Sequence, residues 1–323
     1  MRHAVLACLT LVAGFVAAPT AAQQRAPTAD TITLMVGFPI GSNTDHTARV
    51  LSEALRERLG GRTVEITNRP GHAGSVAAEA VARAAPDGAT LGFFSSSLAI
   101  ARHVARGLPF DPRTDFTPIS LVATAPFVVL VGPDNPAQNL RQLGEALRSQ
   151  PDTRCVTPGA GSFTHLTTVL LTRAMGVGCE AVHYSDPGQA IADLRAGRIQ
   201  LYVNTVPTGL PAVRENRARA LAITAGRRLS TAPEIPTAAE AGLPGFTAEA
   251  WWGLFAPRGL PEALKVSLER AAMEAARNPA VAARLRALGA EPVGSTAAEL
   301  AGTLQADDAK WGEAARAAGI ASE

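Results

Sequence analysis

Residues 31–59 constrain the fold more than any other stretch of this 323-residue chain. Residues 31–38 form an apolar, β-branched run, which is typical of a buried strand. The turn after it has the sequence Pro-Ile-Gly-Ser-Asn-Thr-Asp, and Ser42, Asn43 and Thr44 are all favourable helix N-caps. The next apolar residues recur every three or four positions, which predicts a helix: Ala48, Leu51, Leu55 and Leu59.

This strand–turn–helix unit has two interpretations. Unpaired backbone N–H groups at the start of a helix, together with the helix dipole, form a favourable site for an anion. The alternative is an ordinary βα turn, in which the polar side chains only cap the helix and Asp45 only complements its dipole. The anion site gains support because the unit recurs further along the chain.

Three more strands are followed by turns of glycine and hydroxyl residues. The strands at residues 63–67, 90–94 and 154–157 precede turns at residues 68–75, 95–97 and 158–165. Strands that alternate with helices predict an α/β fold with parallel sheets. The alternation occurs in two blocks, residues 31–123 and 126–245.

The two blocks predict two lobes. Residues 250–323 contain helices but no further βαβ set, so they most simply pack on the first block. The lobes would then be residues 30–124 with 250–323, and residues 125–249. Two lobes joined by two short crossings form a hinged cleft, which is a common place for a ligand. Four predicted helix N-termini should face that cleft: those after Asp45, Ser75, Thr164 and Pro187. Together they suit a small carboxylate.

The N-terminus reads as an export signal. Arg2 precedes an apolar run over residues 4–18, and small residues then predict cleavage after Ala22. Residues 1–22 are therefore an expected signal peptide, and the mature chain is expected to be exported to the periplasm.

The formal net charge is +2 without any basic block, which argues against a nucleic-acid partner.

Two cysteines remain after cleavage, Cys155 and Cys179. Both lie at the starts of predicted strands that flank one helix, so they can be neighbours in a parallel sheet. In an oxidising compartment such a pair can form a disulfide. The alternative is two buried free thiols.

Motifs of known catalytic chemistry do not occur in this sequence. It lacks G-x-S-x-G, a P-loop, H-E-x-x-H and C-x-x-C, and its histidines have no metal-ligand spacing. Ser162 and His165 could act as the nucleophile and base of a serine hydrolase, but a hydroxyl at a helix start is usually a cap. Trp251 and Trp252 are expected in hinge and core packing, or with one of them lining the cleft.

Five stretches carry a resemblance to a known family. They are the strand–turn–helix unit ending in Thr44-Asp45, E-I-T-N-R-P-G at 65–71 followed by Gly74 and A-E-A-V-A at 78–82, A-P-D-G at 85–88, D-F-T-P-I-S-L-V at 115–122, and P-T-A-A-E-A-G-L-P-G-F at 236–246. In this order they resemble the Bug family of periplasmic solute-binding receptors of tripartite tricarboxylate transporters. The resemblance covers essentially the whole mature chain.

This resemblance implies a two-lobed type II periplasmic-binding-protein fold, of the Venus-flytrap kind. It implies a monomeric receptor without metal or cofactor, which captures a small organic carboxylate and passes it to membrane transporter subunits or serves a sensor kinase. Carried over by position, the ligand-binding residues are Phe38, Ile40, Gly41, Ser42, Asn43, Asp45, Ser95, Ser96, Gly161, Ser162, Thr164, His165, Tyr184, Asn204 and Thr205.

The chain departs from the family pattern at three places. Ile40-Gly41-Ser42-Asn43 stands where the family usually has Pro-Gly-Gly, which narrows the loop and adds polar side chains. Ser185-Asp186 stands where Lys-Gly is frequent, and Asn204 replaces a frequent Asp. Loss of a cation and gain of an amide favour a monocarboxylate, a dicarboxylate, or a ligand with an amino or amide group.

Overall fold

The computed structural model describes residues 30–105, 107–150, 152–157, 162–184 and 186–320. The predicted signal peptide and Gly161 lie outside these residues. Within them, the strands are β1 (Thr31–Val36), β2 (Thr63–Asn68), β3 (Thr90–Ser95), β4 (Phe116–Val131), β5 (Arg154–Thr157), β6 (Glu180–His183), β7 (Leu201–Thr205), β8 (Arg219–Ile223), β9 (Glu249–Pro257) and β10 (Glu291–Pro292).

Ten α-helices are present in the same part of the chain. They are α1 (Asn43–Arg58), α2 (Ser75–Ala82), α3 (Ser97–Val104), α4 (Leu140–Arg148), α5 (Phe163–Met175), α6 (Pro187–Arg195), α7 (Val206–Arg214), α8 (Glu262–Arg277), α9 (Pro279–Ala287) and α10 (Ala297–Ala317). Helix α7 follows β7 without a loop, and the sequence pattern alone does not predict it because it contains two prolines. Pro207 fits the first helical turn, where no N–H is needed.

Strand β4 connects two sheets. The first sheet contains β1, β2 and β3 in parallel, and β9 pairs antiparallel with β3. The N-terminal part of β4 pairs with β9, and its C-terminal part pairs with β7 and β8. In the second sheet β5 is parallel to both β6 and β7. The predicted α/β fold is confirmed, although the antiparallel strands β4, β8 and β9 modify the predicted parallel sheets.

Both faces of the first sheet are covered by helices. On one face Ile32, Leu34 and Val36 of β1 lie in a core that α1 and α8 complete. On the other face Trp251 and Phe255 of β9 lie in a core with α3 and α10. Burial on both faces explains why the strands read as continuous apolar runs rather than alternating ones.

Helix α10 lies across the junction of the two sheets. It packs against α3 and β4, and also against α5 of the second sheet. The rings of Phe163 at the start of α5 and Trp311 of α10 have centroids 4.4 Å apart. An ion pair joins Arg173 Nη2 to Glu313 Oε1 at 3.1 Å. The C-terminal helix therefore contacts both halves of the molecule.

Candidate functional site

The β1–α1 loop is organised around the carboxylate of Asp45. Asp45 is 1% exposed, and its oxygens accept hydrogen bonds from the backbone N–H of Gly41 at 3.0 Å and from Asn68 Nδ2 at 3.0 Å. The guanidinium of Arg49 adds two more, at 2.9 and 3.0 Å. Asn68 Nδ2 also contacts the carbonyl oxygen of Phe38 at 3.0 Å, so β2 helps to fix the loop.

The ionisation of Asp45 matches this environment. Burial alone would raise its pKa, but hydrogen bonds from Arg49, Gly41 and Asn68 outweigh burial and hold the pKa at about 2. A carboxylate with both oxygens engaged in this way supports the loop rather than presenting itself to a ligand. The geometry therefore favours the capping alternative for Asp45.

The tip of the same loop is open to solvent. Ile40 is 75% exposed, Gly41 and Asn43 are also exposed, and Gly41 has a φ of 84°. Ser42 is the N-cap of α1, and its hydroxyl accepts a hydrogen bond from the backbone N–H of Asp45 at 3.2 Å. The loop thus combines a rigid base with an accessible tip.

The serines after β3 differ in exposure. Ser96 is 2% exposed and its backbone N–H donates to the carbonyl oxygen of Trp251. The hydroxyls of Ser95 and Ser97 are 2.7 Å apart. These two residues line a small cavity with Phe38 and Ser75, with about 10 Å³ of space, which is enough for one water molecule. Ser75 Oγ is buried and has no hydrogen-bond partner among the described residues.

In the second sheet, the start of α5 brings together three predicted residues. Ser162 is the N-cap of α5, and its hydroxyl accepts from the backbone N–H of His165 at 3.2 Å. Ser162 Oγ lies 3.5 Å from Thr164 Oγ1. Burial, and secondarily the nearby His183, lower the pKa of His165 below its ordinary value. Ser162 therefore caps the helix.

Tyr184 follows β6, and its hydroxyl is engaged within the second sheet. Tyr184 OH donates to Asp193 Oδ2 of α6 at 2.6 Å. Burial and the hydrogen bond to Asp193 both raise the pKa of Tyr184. This contact joins α6 to the end of β6, so the hydroxyl of Tyr184 is already engaged.

Asn204 has an unused donor at the end of β7. Its side chain is 6% exposed, and its Oδ1 accepts from the backbone N–H of Thr205 at 2.8 Å. Asn204 Nδ2 is buried and has no partner among the residues that the structure describes. Thr205 is the N-cap of α7, and its hydroxyl contacts that of Thr208 at 3.1 Å. A buried amide donor without a partner is costly, and an acceptor from a ligand would satisfy it.

The two cysteines lie next to each other, on neighbouring strands. Cys155 of β5 and Cys179, just before β6, are joined in a disulfide, with Cα atoms 6.0 Å apart. Cys155 is buried and Cys179 is half-buried. The bond closes the β5–α5–β6 unit, which carries Ser162, Thr164 and His165.

Three contacts near the loops are not predicted by the sequence pattern. Asn68 supports the β1–α1 loop, Ser75 lines the small cavity, and Trp252 Nε1 donates to Thr44 Oγ1 at 2.9 Å. The Asn-Arg-Pro-Gly run that contains Asn68 marks the family but does not indicate this contact. Trp251 and Trp252 are both buried, which confirms their predicted core packing.

Within residues 30–320, apart from the undescribed gaps, no group of three or more side chains is arranged to hold a metal ion. Over the same residues no helix has the length and apolar character needed to cross a membrane.

An α/β fold of two joined sheets, with polar loops at the carboxyl ends of the strands, defines a two-lobed solute-binding protein. Residues 47–320 match the family model described as tripartite tricarboxylate transporter family receptor. The chain therefore belongs to this receptor family, as its motifs predicted, and it is a solute-binding receptor rather than an enzyme. Turnover by Ser162 and His165 is accordingly not supported.

Three solved structures are similar over nearly the whole chain. The periplasmic binding protein BugD is 28% identical, with a TM-score of 0.69, and the match covers 91% of this chain and 99% of BugD. Rpa4515 of R. palustris, solved with adipate, is 32% identical, with a TM-score of 0.72 and coverage of 90% and 98%. MatC of Rhodopseudomonas palustris, solved with bound malate, is 33% identical, with a TM-score of 0.67 and coverage of 88% and 98%.

Proposed function

We propose that this receptor captures a small organic carboxylate, with a dicarboxylate as the favoured class. The observation that carries the proposal is the buried, unpaired Nδ2 of Asn204, a hydrogen-bond donor at the carboxyl end of β7. Two similar proteins were solved with adipate and malate, and both ligands are dicarboxylates. An amide donor and capped helix starts suit one or two carboxylates better than the high charge of a tricarboxylate.

Loops from both sheets would form the site. From the first sheet, the exposed loop tip and the serines after β3 would contact the ligand, while Asp45 would hold the loop. From the second sheet, contacts would come from the start of α5 and from Asn204 and Thr205, with the ring of Tyr184 as a wall. The ligand-contact set is Phe38, Ile40, Gly41, Ser42, Asn43, Ser95, Ser96, Ser162, Thr164, His165, Tyr184, Asn204 and Thr205, and Gly161 would belong to it by position.

Charge for the ligand would come mainly from helix N-termini. Helices α1 and α5 begin at capped residues in these loops, and their dipoles place partial positive charge there. Arg49, which follows the first loop on α1, is already paired with Asp45. A carboxylate can therefore bind without a dedicated lysine or arginine.

Lobe closure would couple the two sets of contacts. The proposed lobes are residues 30–124 with 250–323, and residues 125–249, joined by β4 and by the segment that leads into β9. Ligand contacts on both lobes stabilise the closed state, because both sets are made only there. Helix α10, which contacts both halves, would limit how far they separate.

The receptor would act in the periplasm and deliver its ligand to membrane transporter subunits. Export would use the signal peptide at residues 1–22, and the receptor would work as a monomer. If the partner were a sensor kinase, deletion of the gene would abolish a transcriptional response and leave uptake unchanged. Loss of uptake on deletion supports the transporter.

A thermal-shift screen tests the ligand class. The mature protein is unfolded and refolded first, so that any carried-over ligand is removed. The panel contains monocarboxylates, dicarboxylates including adipate and malate, tricarboxylates and acidic amino acids. A ligand at 100 times its dissociation constant adds about 2.7 kcal/mol, which raises the midpoint of a chain of this length by about 4 °C. Stabilisation by dicarboxylates supports the proposal, and stabilisation by citrate above all others contradicts it.

A further inference from the structure

Two histidines meet at the carboxyl ends of β5 and β6. His183, the last residue of β6, lies opposite Thr157, the last residue of β5. The ring of His165, in the first turn of α5, meets the ring of His183 edge-on, with centroids 6.2 Å apart. His165 is 6% exposed and His183 is exposed. One imidazole is thus buried behind another that reaches solvent.

The orientation of His183 is fixed by its neighbour. Thr157 Oγ1 lies 3.1 Å from His183 Nδ1, and Thr157 is fully buried. A hydrogen bond at Nδ1 fixes the orientation of the ring, and the threonine hydroxyl can serve as its donor or its acceptor. The pair is therefore a defined arrangement on a strand end and not a mobile surface histidine.

Several charged side chains on the surrounding elements have partners away from the two histidines, and Arg195 in the last turn of α6 is exposed. Arg154 and Glu180 are the first residues of β5 and β6, and they pair with each other at the ends of these strands that lie away from the histidines. Arg173 pairs with Glu313 at the C-terminal end of α5. The remaining contacts are Arg148 with the Met175 carbonyl, Asp193 with Arg198 and Tyr184, and Asp186 with the Gly188 N–H. Protonation of the histidines is thus a direct way to add positive charge at this strand edge.

We propose that His183 and His165 form a proton-dependent subsite, which binds one carboxylate of the ligand when one of the two imidazoles is protonated. The proposal rests on the proposed function, because it assigns a subsite of the same ligand. The imidazolium would donate a hydrogen bond to the carboxylate, and the proton would come from solvent. Two imidazolium ions this close repel each other, so the pair would take up one proton rather than two.

The direction of the pH effect follows from the charges. Burial and His183 hold the pKa of His165 below its ordinary value in the free receptor. A bound carboxylate favours the charged imidazole and therefore raises the pKa of His165 in the complex. Affinity is then greatest below the pKa of His165 in the free receptor and falls as pH rises through its pKa in the complex. We expect binding about tenfold tighter near pH 6 than near pH 8.

Calorimetric titration with adipate and with malate at these two pH values tests the subsite. Titration in buffers of different ionisation enthalpy also counts the protons taken up. The variant is His183→Asn, since asparagine retains a polar group near Thr157 but does not titrate. The matched control is His46→Gln, which removes an exposed histidine from the first turn of α1. The ionisation of adipate and malate also changes with pH, but it changes equally for both variants and so cancels in the comparison.

Each outcome decides the proposal. Proton uptake together with a pH dependence that His183→Asn removes and His46→Gln keeps would support the subsite. Binding of equal affinity at both pH values, or an unchanged pH dependence in His183→Asn, overturns the subsite and leaves the proposed function standing. Binding of neither acid at either pH overturns the subsite and contradicts the dicarboxylate proposal as well.

Discussion

The indole Nε1 of Trp252 donates a hydrogen bond to Thr44 Oγ1 at 2.9 Å, across 208 residues of sequence. Thr44 is in the first turn of α1, and Trp252 lies on β9, close to the junction of the two sheets. Both side chains are buried, at 6% exposure each. The end of the β1–α1 loop is thereby tied to a strand that reaches the junction of the two sheets.

Replacement of Thr44 by valine should weaken this connection. Valine has the same shape but no acceptor, so Trp252 Nε1 would remain buried without a partner. The expected loss in free energy of unfolding is about 1–3 kcal/mol, measured by urea denaturation. Thr44→Ser retains the hydroxyl and serves as the control. Equal stability of the valine and serine variants would contradict the importance of this hydrogen bond.

Asp45→Asn should remove a pH-dependent part of the stability. The pKa of Asp45 is lowered to about 2 in the folded protein, so ionised Asp45 stabilises the fold above the pKa of the unfolded chain, near 4. That contribution, about 2 kcal/mol, is lost as pH falls from about 4 through about 2. Denaturation should therefore separate wild type from Asp45→Asn at neutral pH, and the difference should shrink in acid. Asp87→Asn, at an exposed turn, is the control, and a difference independent of pH would refute the assignment.

Asn204→Leu should weaken ligand binding while nearly preserving side-chain size. It removes the unpaired amide donor without adding a charge. A hydrogen bond to a charged group contributes about 1.5–3 kcal/mol, so adipate or malate affinity should fall by at least about tenfold in calorimetry. Urea denaturation of the variant checks that the fold is retained. Unchanged affinity in Asn204→Leu would remove Asn204 from the ligand contacts.

Reduction of the disulfide should destabilise the second sheet. Cys155 and Cys179 are 24 residues apart, and a bond that closes a loop of this length contributes about 3 kcal/mol. Urea denaturation with and without a reductant measures the difference. Cys155→Ala/Cys179→Ala should resemble the reduced protein and should not respond to the reductant. Two free thiols in the unfolded, unreduced mature protein would show that the bond does not form.

Local features of the site were predictable from sequence because they depend on neighbouring residues. Ser42 and Ser162 are helix N-caps. Each hydroxyl accepts a hydrogen bond from the backbone N–H of the residue three positions later, as hydroxyl residues at helix starts commonly do. The alternation of strand, polar turn and helix also predicted the parallel pairing within each sheet. Nearest-neighbour chemistry is sufficient for such features.

Tertiary structure decided which of these residues are available to a ligand. The resemblance predicts ligand contacts for Asp45 and Tyr184, but Arg49, Asn68 and Asp193 engage their polar atoms. Conversely, the sequence pattern gives no role to His183, and only the pairing of β5 with β6 brings it against His165. Side-chain partners of this kind come from distant parts of the chain and leave no periodic signal in it.

The sequence by itself determined the fold class, the family and the positions of the polar strand–turn–helix loops, because strand and helix periodicity, caps and family motifs are written in consecutive residues. Only the tertiary structure decided that β4 is one strand shared by two sheets and that α10 contacts both of them. It also decided which hydrogen-bond donors remain unpaired, such as Asn204 Nδ2. Pairing of a donor depends on every atom that reaches it, and those atoms are assembled only when the whole chain has packed.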